Sequence, residues 1–404
     1  MNAEILSWPL WLSSPLALLG AGLLLAQMLG LVLEARRLPK LYGAVAAGLL
    51  LGVSGLGMID AAVTTQFQEL FNAATALVLF EVGRKMDIAW LWRSRRQGAS
   101  LLLACLLRVT VIWGLLAAWG FGWAEAGFMA ALLIASSPII YASMVSDSQA
   151  SGVTVFAGAN FVGLGNVMAL LVLFPTVAWL RMRAEGELAS YATELIKQLS
   201  RLGLGVAIAL LSYGFYFLAT RLTRARARLR PGMLLAALLM DLGLCSVSAA
   251  SALLSLLLMG LLLRNAEKRD NVFQAELRTG QDIGYALLFM MSASLVRIEQ
   301  LLHWQTLLVA LLLFAARILM TRLALTFATA WDSQKKNALA LSTCSLVSFG
   351  ALMVDNSMTG YPGLSEPAQQ IMAALLALNV LLAPGLTWYG LHLAGENHEE
   401  ERHA

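Results

Sequence analysis

Apolar runs of about 15 to 28 residues follow one another along this chain from residue 14 to residue 390, each closed by charge, glycine or proline. One such run could be a buried core helix, but a long succession of them has no soluble core large enough to hide in. A bilayer takes about 20 helical residues per crossing, and its backbone groups must pair within the segment, which selects helices. With 59% apolar residues, 13% charged residues and a mean hydropathy of +0.74, the expected class is an all-α polytopic membrane protein. Thirteen spans are expected, at 14–33, 41–59, 67–83, 98–120, 124–144, 152–180, 198–219, 232–246, 248–263, 282–296, 303–330, 337–354 and 367–390. Residues 1–15 include Glu4 but no Lys or Arg, so they lack the basic region of a cleaved leader, and the first span is expected to stay.

Charge decides the least distinct stretch, 232–263. Arg221, Arg224, Arg226, Arg228 and Arg230 precede it, and Arg264, Lys268, Arg269 and Arg278 follow it. Cytoplasmic loops gather basic residues, so both flanks lie inside and the chain crosses twice, with Asp241-Leu242-Gly243 as the expected turn. On that orientation about 20 of the 28 basic residues are inside and about five outside, with the amino terminus outside and the carboxyl terminus in the cytoplasm. The +4 net charge is therefore a topology signal, and no loop has the aromatic interleaving of a nucleic-acid site. Residues 396–404 form a short tail behind a single transmembrane domain, 1–395.

Two cations break the apolar pattern in register. Arg108 and Arg317 sit 209 residues apart inside apolar runs, and each is followed 28 residues later by a serine cluster, Ser136-Ser137-Pro138 and Ser345-Leu346-Val347-Ser348. A guanidinium at bilayer depth costs about 2.5–3.5 kcal/mol even on insertion scales, so such a pair predicts a duplicated transport core. The odd span count then divides into two inverted six-helix repeats, 14–180 and 232–390, joined by a linking helix at 198–219. Pro138 removes an amide donor in mid-span, and Ser345 and Ser348 can satisfy freed backbone groups, so the fifth and twelfth spans are expected to be broken helices that cross.

Enzyme chemistry finds no support in these residues. Cys105, Cys245 and Cys344 have no metal-like spacing and read as small packing residues, and the four histidines lie at segment ends or in the tail. No nucleophile–base pair, metal cluster or phosphate loop stands out, and no cofactor is expected.

Several segments together resemble the cation:proton antiporters of the sodium/proton exchanger superfamily. Residues 38–52 with Ser54-Gly55-Leu56-Gly57 are similar to that family's first-repeat pattern, and 79–87 (LFEVGRKMD) to its "LFLIGLELD" segment. Residues 131–137, 257–263 and 282–295 match further pieces in order, and Arg317 falls where the family has a Lys or Arg. The resemblance implies the sodium/proton antiporter fold, a homodimer in the cell membrane, and exchange of Na⁺ or K⁺ for H⁺ at a buried Asp pair on the sixth span by an elevator-like motion. Here that span reads VFAGANFVGLGNV over 155–167, and the acidic pair falls on Gly163-Leu164 or, aligned without a gap, on Asn166-Val167. Neither Asn160 nor Asn166 can titrate, and only a group that can lose its charge can trade a proton for a cation. Glu81 reads as an interfacial partner of Arg84, and Glu34, Asp60, Asp87 and Asp355 as segment ends.

The candidate binding residues are thus Asn160, Gly163, Asn166, Arg108, Arg317, Ser136, Ser137, Ser345 and Ser348, with carbonyl ends, water or an anionic substrate as counter-charge for the arginines. Three functions stay open: a monovalent cation antiporter with proton coupling altered or lost, an anion or organic-solute transporter on the same scaffold, and a sensor or partner that transports nothing.

Overall fold

A computed structural model describes residues 14–185, 188–223, 229–266, 274–327, 331–346 and 364–396. In chain order the helices are α1 Pro15–Glu34, α2 Leu41–Leu51, α3 Ala61–Gln66, α4 Gln68–Lys85, α5 Ile88–Arg93, α6 Arg95–Ala118, α7 Trp123–Ile134, α8 Pro138–Asp147, α9 Val153–Glu185, α10 Leu188–Leu222, α11 Arg230–Ser248, α12 Ala252–Ala266, α13 Gln274–Ser294, α14 Trp304–Leu325, α15 Ser333–Ser342 and α16 Glu366–Leu393. Seven of these, α1, α6, α9, α10, α11, α14 and α16, are long and apolar enough to cross a bilayer, and α2, α7 and α12 are shorter apolar helices. Among the described residues there is no β-strand, only isolated bridges at Gly52 with Ile59 and Ser136 with Leu346.

In one group of helices α1 packs on α2, α2 on α13, and α4 on α12; in another α6 packs on α7 and α14, α7 on α9, and α15 on α16. The long α10 touches α9, α11 and α12. Small residues set the closest approach: a Cβ added at Gly83 would lie 2.0 Å from the Leu257 carbonyl oxygen, and one at Gly260 would lie 2.1 Å from that of Phe80. Any larger residue would push α4 off α12, which is how membrane helices gain van der Waals contact where lipid is as apolar as they are. Leu24, Met28 and Leu31 of α1 and Leu210, Leu211 and Phe215 of α10 face outward, as a lipid-bathed surface requires. Trp119, Trp123 and Trp304, all well exposed, stand at helix ends in the manner of an interfacial aromatic belt.

One local expectation is corrected and another extended. Two helices, α11 and α12, follow residue 230, and the turn between them is at Ala249–Ser251, where Ala249 adopts a left-handed conformation (φ 53°), and not at Asp241-Leu242-Gly243. Asp241 is fully buried two turns earlier, because Ser255 of α12 reaches back to bond its carboxyl. Glu81 is nearly buried and pairs with Lys85 at 3.0 Å, with Arg84 only at 4.0 Å, since the i+4 residue lies more directly over it.

Candidate functional site

Pro138 lies at the first position of α8, where its missing amide proton costs nothing, and Ser137 caps that helix by accepting from the Ile140 amide at 3.2 Å. Ala135 and Ser136 are therefore non-helical, between α7 and α8. On the other side α15 stops at Ser342, and residues 343–346 are non-helical as well. These two interruptions meet: the Ser137 amide donates to the Ser345 carbonyl at 3.2 Å, and Ser136 bridges Leu346 in antiparallel fashion. Asn379 of α16 completes the second crossing strand, accepting from the Leu346 amide at 2.7 Å and donating to its carbonyl at 3.2 Å.

Both arginines reach this crossing and both are fully buried. Arg108 of α6 donates through Nε to Thr321 Oγ1 at 2.6 Å and the Arg317 carbonyl at 3.3 Å. Its Nη1 reaches Ser136 Oγ at 3.1 Å and its Nη2 the Thr343 carbonyl at 3.1 Å. Its guanidinium also lies 4.6 Å over the Phe161 ring, a cation–π contact from α9. Arg317 of α14 uses only Nη2, which reaches the carbonyls of Ala135 at 3.2 Å and Ser345 at 3.0 Å. Among the described residues its Nε and Nη1 have no hydrogen-bond partner, and neither does Ser345 Oγ. The carbonyls of Ala135 and Thr343 lie just past the carboxyl ends of α7 and α15, where each helix dipole concentrates roughly half a negative charge. Two such ends offset about one of the two positive charges, so among the described residues the crossing keeps an excess of positive charge.

The sixth-span residues divide. Asn166 reaches the crossing, donating to the Ser136 carbonyl at 2.9 Å and to that of Val162 at 2.8 Å, while its Oδ1 has no partner. Asn160 instead accepts from the Asp87 amide at 2.9 Å and donates to Phe156, fastening α9 to the start of α5. At Gly163 the Met86 side chain fills the space a side chain would need: an added Cβ would lie 2.0 Å from Met86 Sδ. The structure therefore brings together Arg108, Arg317, Ser136, Ser137, Ser345 and Asn166, sets Asn160 and Gly163 against the α4–α5 corner, and leaves Ser348 outside the described residues. Sequence reasoning missed Thr321, Thr343, Asn379, Phe161 and Met86. Asn379, a lone amide in an apolar run, and Thr321, one turn after Arg317, carried a signal, whereas Met86 and Phe161 carried none.

A cavity of about 230 Å³ lies between α1, α2, α8 and α13, lined by Gln27, Lys40, Ser146, Asp147, Asp282 and Tyr285, among others. Lys40 closes part of its rim, its amide on Asp147 Oδ2 at 3.0 Å and its ammonium on Glu34 at 2.9 Å. The hydrogen bond to Glu34 raises the Lys40 pKa above its ordinary 10.5, against the opposing effect of partial burial.

An apolar helical bundle in which two interrupted helices meet at buried cations has the architecture of a membrane transporter. The chain belongs to the sodium/hydrogen exchanger family: the sequence model described as "Sodium/hydrogen exchanger, transmembrane" matches residues 18–386. Among solved structures it is similar in fold to the sodium proton antiporter MjNhaP1 from Methanocaldococcus jannaschii, with a TM-score of 0.67 and 18% identity, covering 96% of this chain and 100% of that one. A search of curated proteins finds no match.

Proposed function

We propose that this chain is a secondary transporter of the monovalent cation:proton antiporter type whose crossing no longer exchanges protons. The carrying observation is the chemistry of the crossing: among the described residues the side chains that hydrogen-bond there are guanidinium, hydroxyl and amide groups with no carboxyl, and Met86 fills the space beside Gly163, where one alignment of the family pattern places an acid. A cation moving along this route meets carbonyl and amide oxygens that bind without releasing a proton. We further propose that two inverted repeats, 14–180 and 232–390, move by an elevator-like shift about the helix at 198–219, with the carboxyl terminus cytoplasmic and two copies pairing through outer helices. Proteoliposomes reading cation and proton flux together test the proposal. Na⁺ or K⁺ uptake with little dissipation of a preset pH gradient is expected, and one proton moved per cation, as in full exchange, would overturn it.

A second reading has its own observation. Arg317 Nε and Nη1 and Ser345 Oγ are buried donors without partners at a crossing with excess positive charge, which suits a small carboxylate or other anion. Uptake of an anion and no cation flux in the same vesicles would favour it.

A further inference from the structure

Away from the crossing, a carboxyl lies at the joint of α10, α11 and α12. Asp241 is 0% exposed, about 10 Å inside the carboxyl end of α11 at the helical rise of 1.5 Å per residue. Its Oδ2 accepts from Ser255 Oγ of α12 at 2.9 Å, and its Oδ1 lies 3.7 Å from Cys245 Sγ one turn along α11. Ser212 of α10 faces the same carboxyl; its hydroxyl is fully buried and makes no hydrogen bond among the described residues.

The other acids that are buried among the described residues have cations: Glu81 has Lys85 at 3.0 Å and Glu194 has Lys197 at 3.3 Å. Asp241 is different. Its hydrogen-bond partners are the Ser255 hydroxyl and the Cys245 thiol, and among the described residues no charged side chain of α10, α12 or α4, the elements packed on α11, makes an ion pair with it. An ionised carboxylate sealed from water without a cation is strongly disfavoured, whereas a neutral acid has one proton to donate and a waiting hydroxyl oxygen in Ser212.

We propose that Asp241 is a reversible proton-binding site, so that a chain with no acid among the described residues of its crossing has one at the joint of α10, α11 and α12. The carboxyl O–H bond breaks as pH rises, the proton leaves to water, and the remaining carboxylate has to be hydrated, which loosens α10 from α11 and α12. The ligand is the proton, and the proposal stands whether or not the crossing moves cations.

Infrared difference spectroscopy of the full chain in lipid vesicles tests it without any transport assay. A protonated carboxylic C=O band is expected at neutral pH, bleaching reversibly at alkaline pH and absent in Asp241→Asn. Ser255→Ala, which removes a bonded hydroxyl and leaves the acid, should move the pH at which the band bleaches. A band that survives unchanged in Asp241→Asn, that never bleaches, or that is indifferent to Ser255→Ala would overturn the proposal.

Discussion

The crossing and the α10–α12 joint are opposite solutions to one problem. Among the described residues, the crossing holds two buried cations with no acid bonded to them, and the joint holds a buried acid with no cation. The difference follows from the groups themselves. Guanidinium keeps its charge in any protein environment, so Arg108 and Arg317 have to be met by dipoles, and the carboxyl ends of two interrupted helices supply them. A carboxyl can discard its charge by taking a proton, so Asp241 needs only hydroxyls. Interrupted helices are thus the architectural consequence of permanent charge, while α11 runs unbroken past its acid from Arg230 to Ser248.

The largest test of this contrast is at Arg108. Arg108→Ala leaves Thr321 Oγ1 and the Thr343 carbonyl without their donor and opens a void beside Phe161. A loss of about 3–5 kcal/mol is expected, visible as a large fall in melting temperature of the purified protein. Arg317→Ala removes fewer contacts and should cost roughly 1–3 kcal/mol while abolishing transport. Equal losses in the two variants would mean that the unequal hydrogen bonding of the arginines has no energetic content.

Restoring an acid at Gly163, where one alignment of the family pattern places it, is the second test. In Gly163→Asp the new Cβ would enter the Met86 sulfur, so the single variant should be destabilised by about 1–3 kcal/mol. Gly163→Asp with Met86→Ala should recover stability and begin to dissipate a pH gradient when Na⁺ or K⁺ is added. If the double variant folds and still moves no protons, an acid missing at Gly163 does not account for the altered coupling.

How legible these features were depended on how local their causes are. The break before α8 was readable because Pro138 itself lacks the donor a helix needs there. The register of Arg108 and Arg317 with their serines was readable because a 28-residue spacing occurs twice. The second break was placed by hydroxyls alone, and the residue that fixes its geometry, Asn379, comes 33 positions after Leu346. Asp241 was misplaced for the same reason: a polar residue in an apolar run looks like a turn until a bonded Ser255, 14 residues on and across the real turn, is known. Asn160 looked like an ion ligand because nothing in sequence ties it to the Asp87 amide, 73 residues away.

Asp241→Asn gives a smaller effect and a sharper reading of the contrast. Replacing a neutral acid by a near-isosteric amide should change stability by less than about 1 kcal/mol at neutral pH, since no ion pair is lost. If the acid were ionised and cation-paired, the same substitution would cost several kcal/mol, and chemical melting curves of the two proteins would separate clearly.

The smallest effect belongs to a charge outside both regions. Lys40 is half-exposed and its bond to Glu34 raises its pKa above 10.5, so the folded state holds this proton more tightly than the unfolded state does. For a raised pKa the contribution is complete below about pH 10.5 and lost as pH climbs through the folded value. Water screens a pair this open, so the difference between wild type and Lys40→Gln should stay under about 1 kcal/mol, constant near neutrality and shrinking only above pH 10.5. A difference that instead changed between pH 5 and 8 would place the titrating group among the carboxylates at the cavity rim, Asp147 and Asp282, and would give that cavity the proton sensitivity assigned above to Asp241.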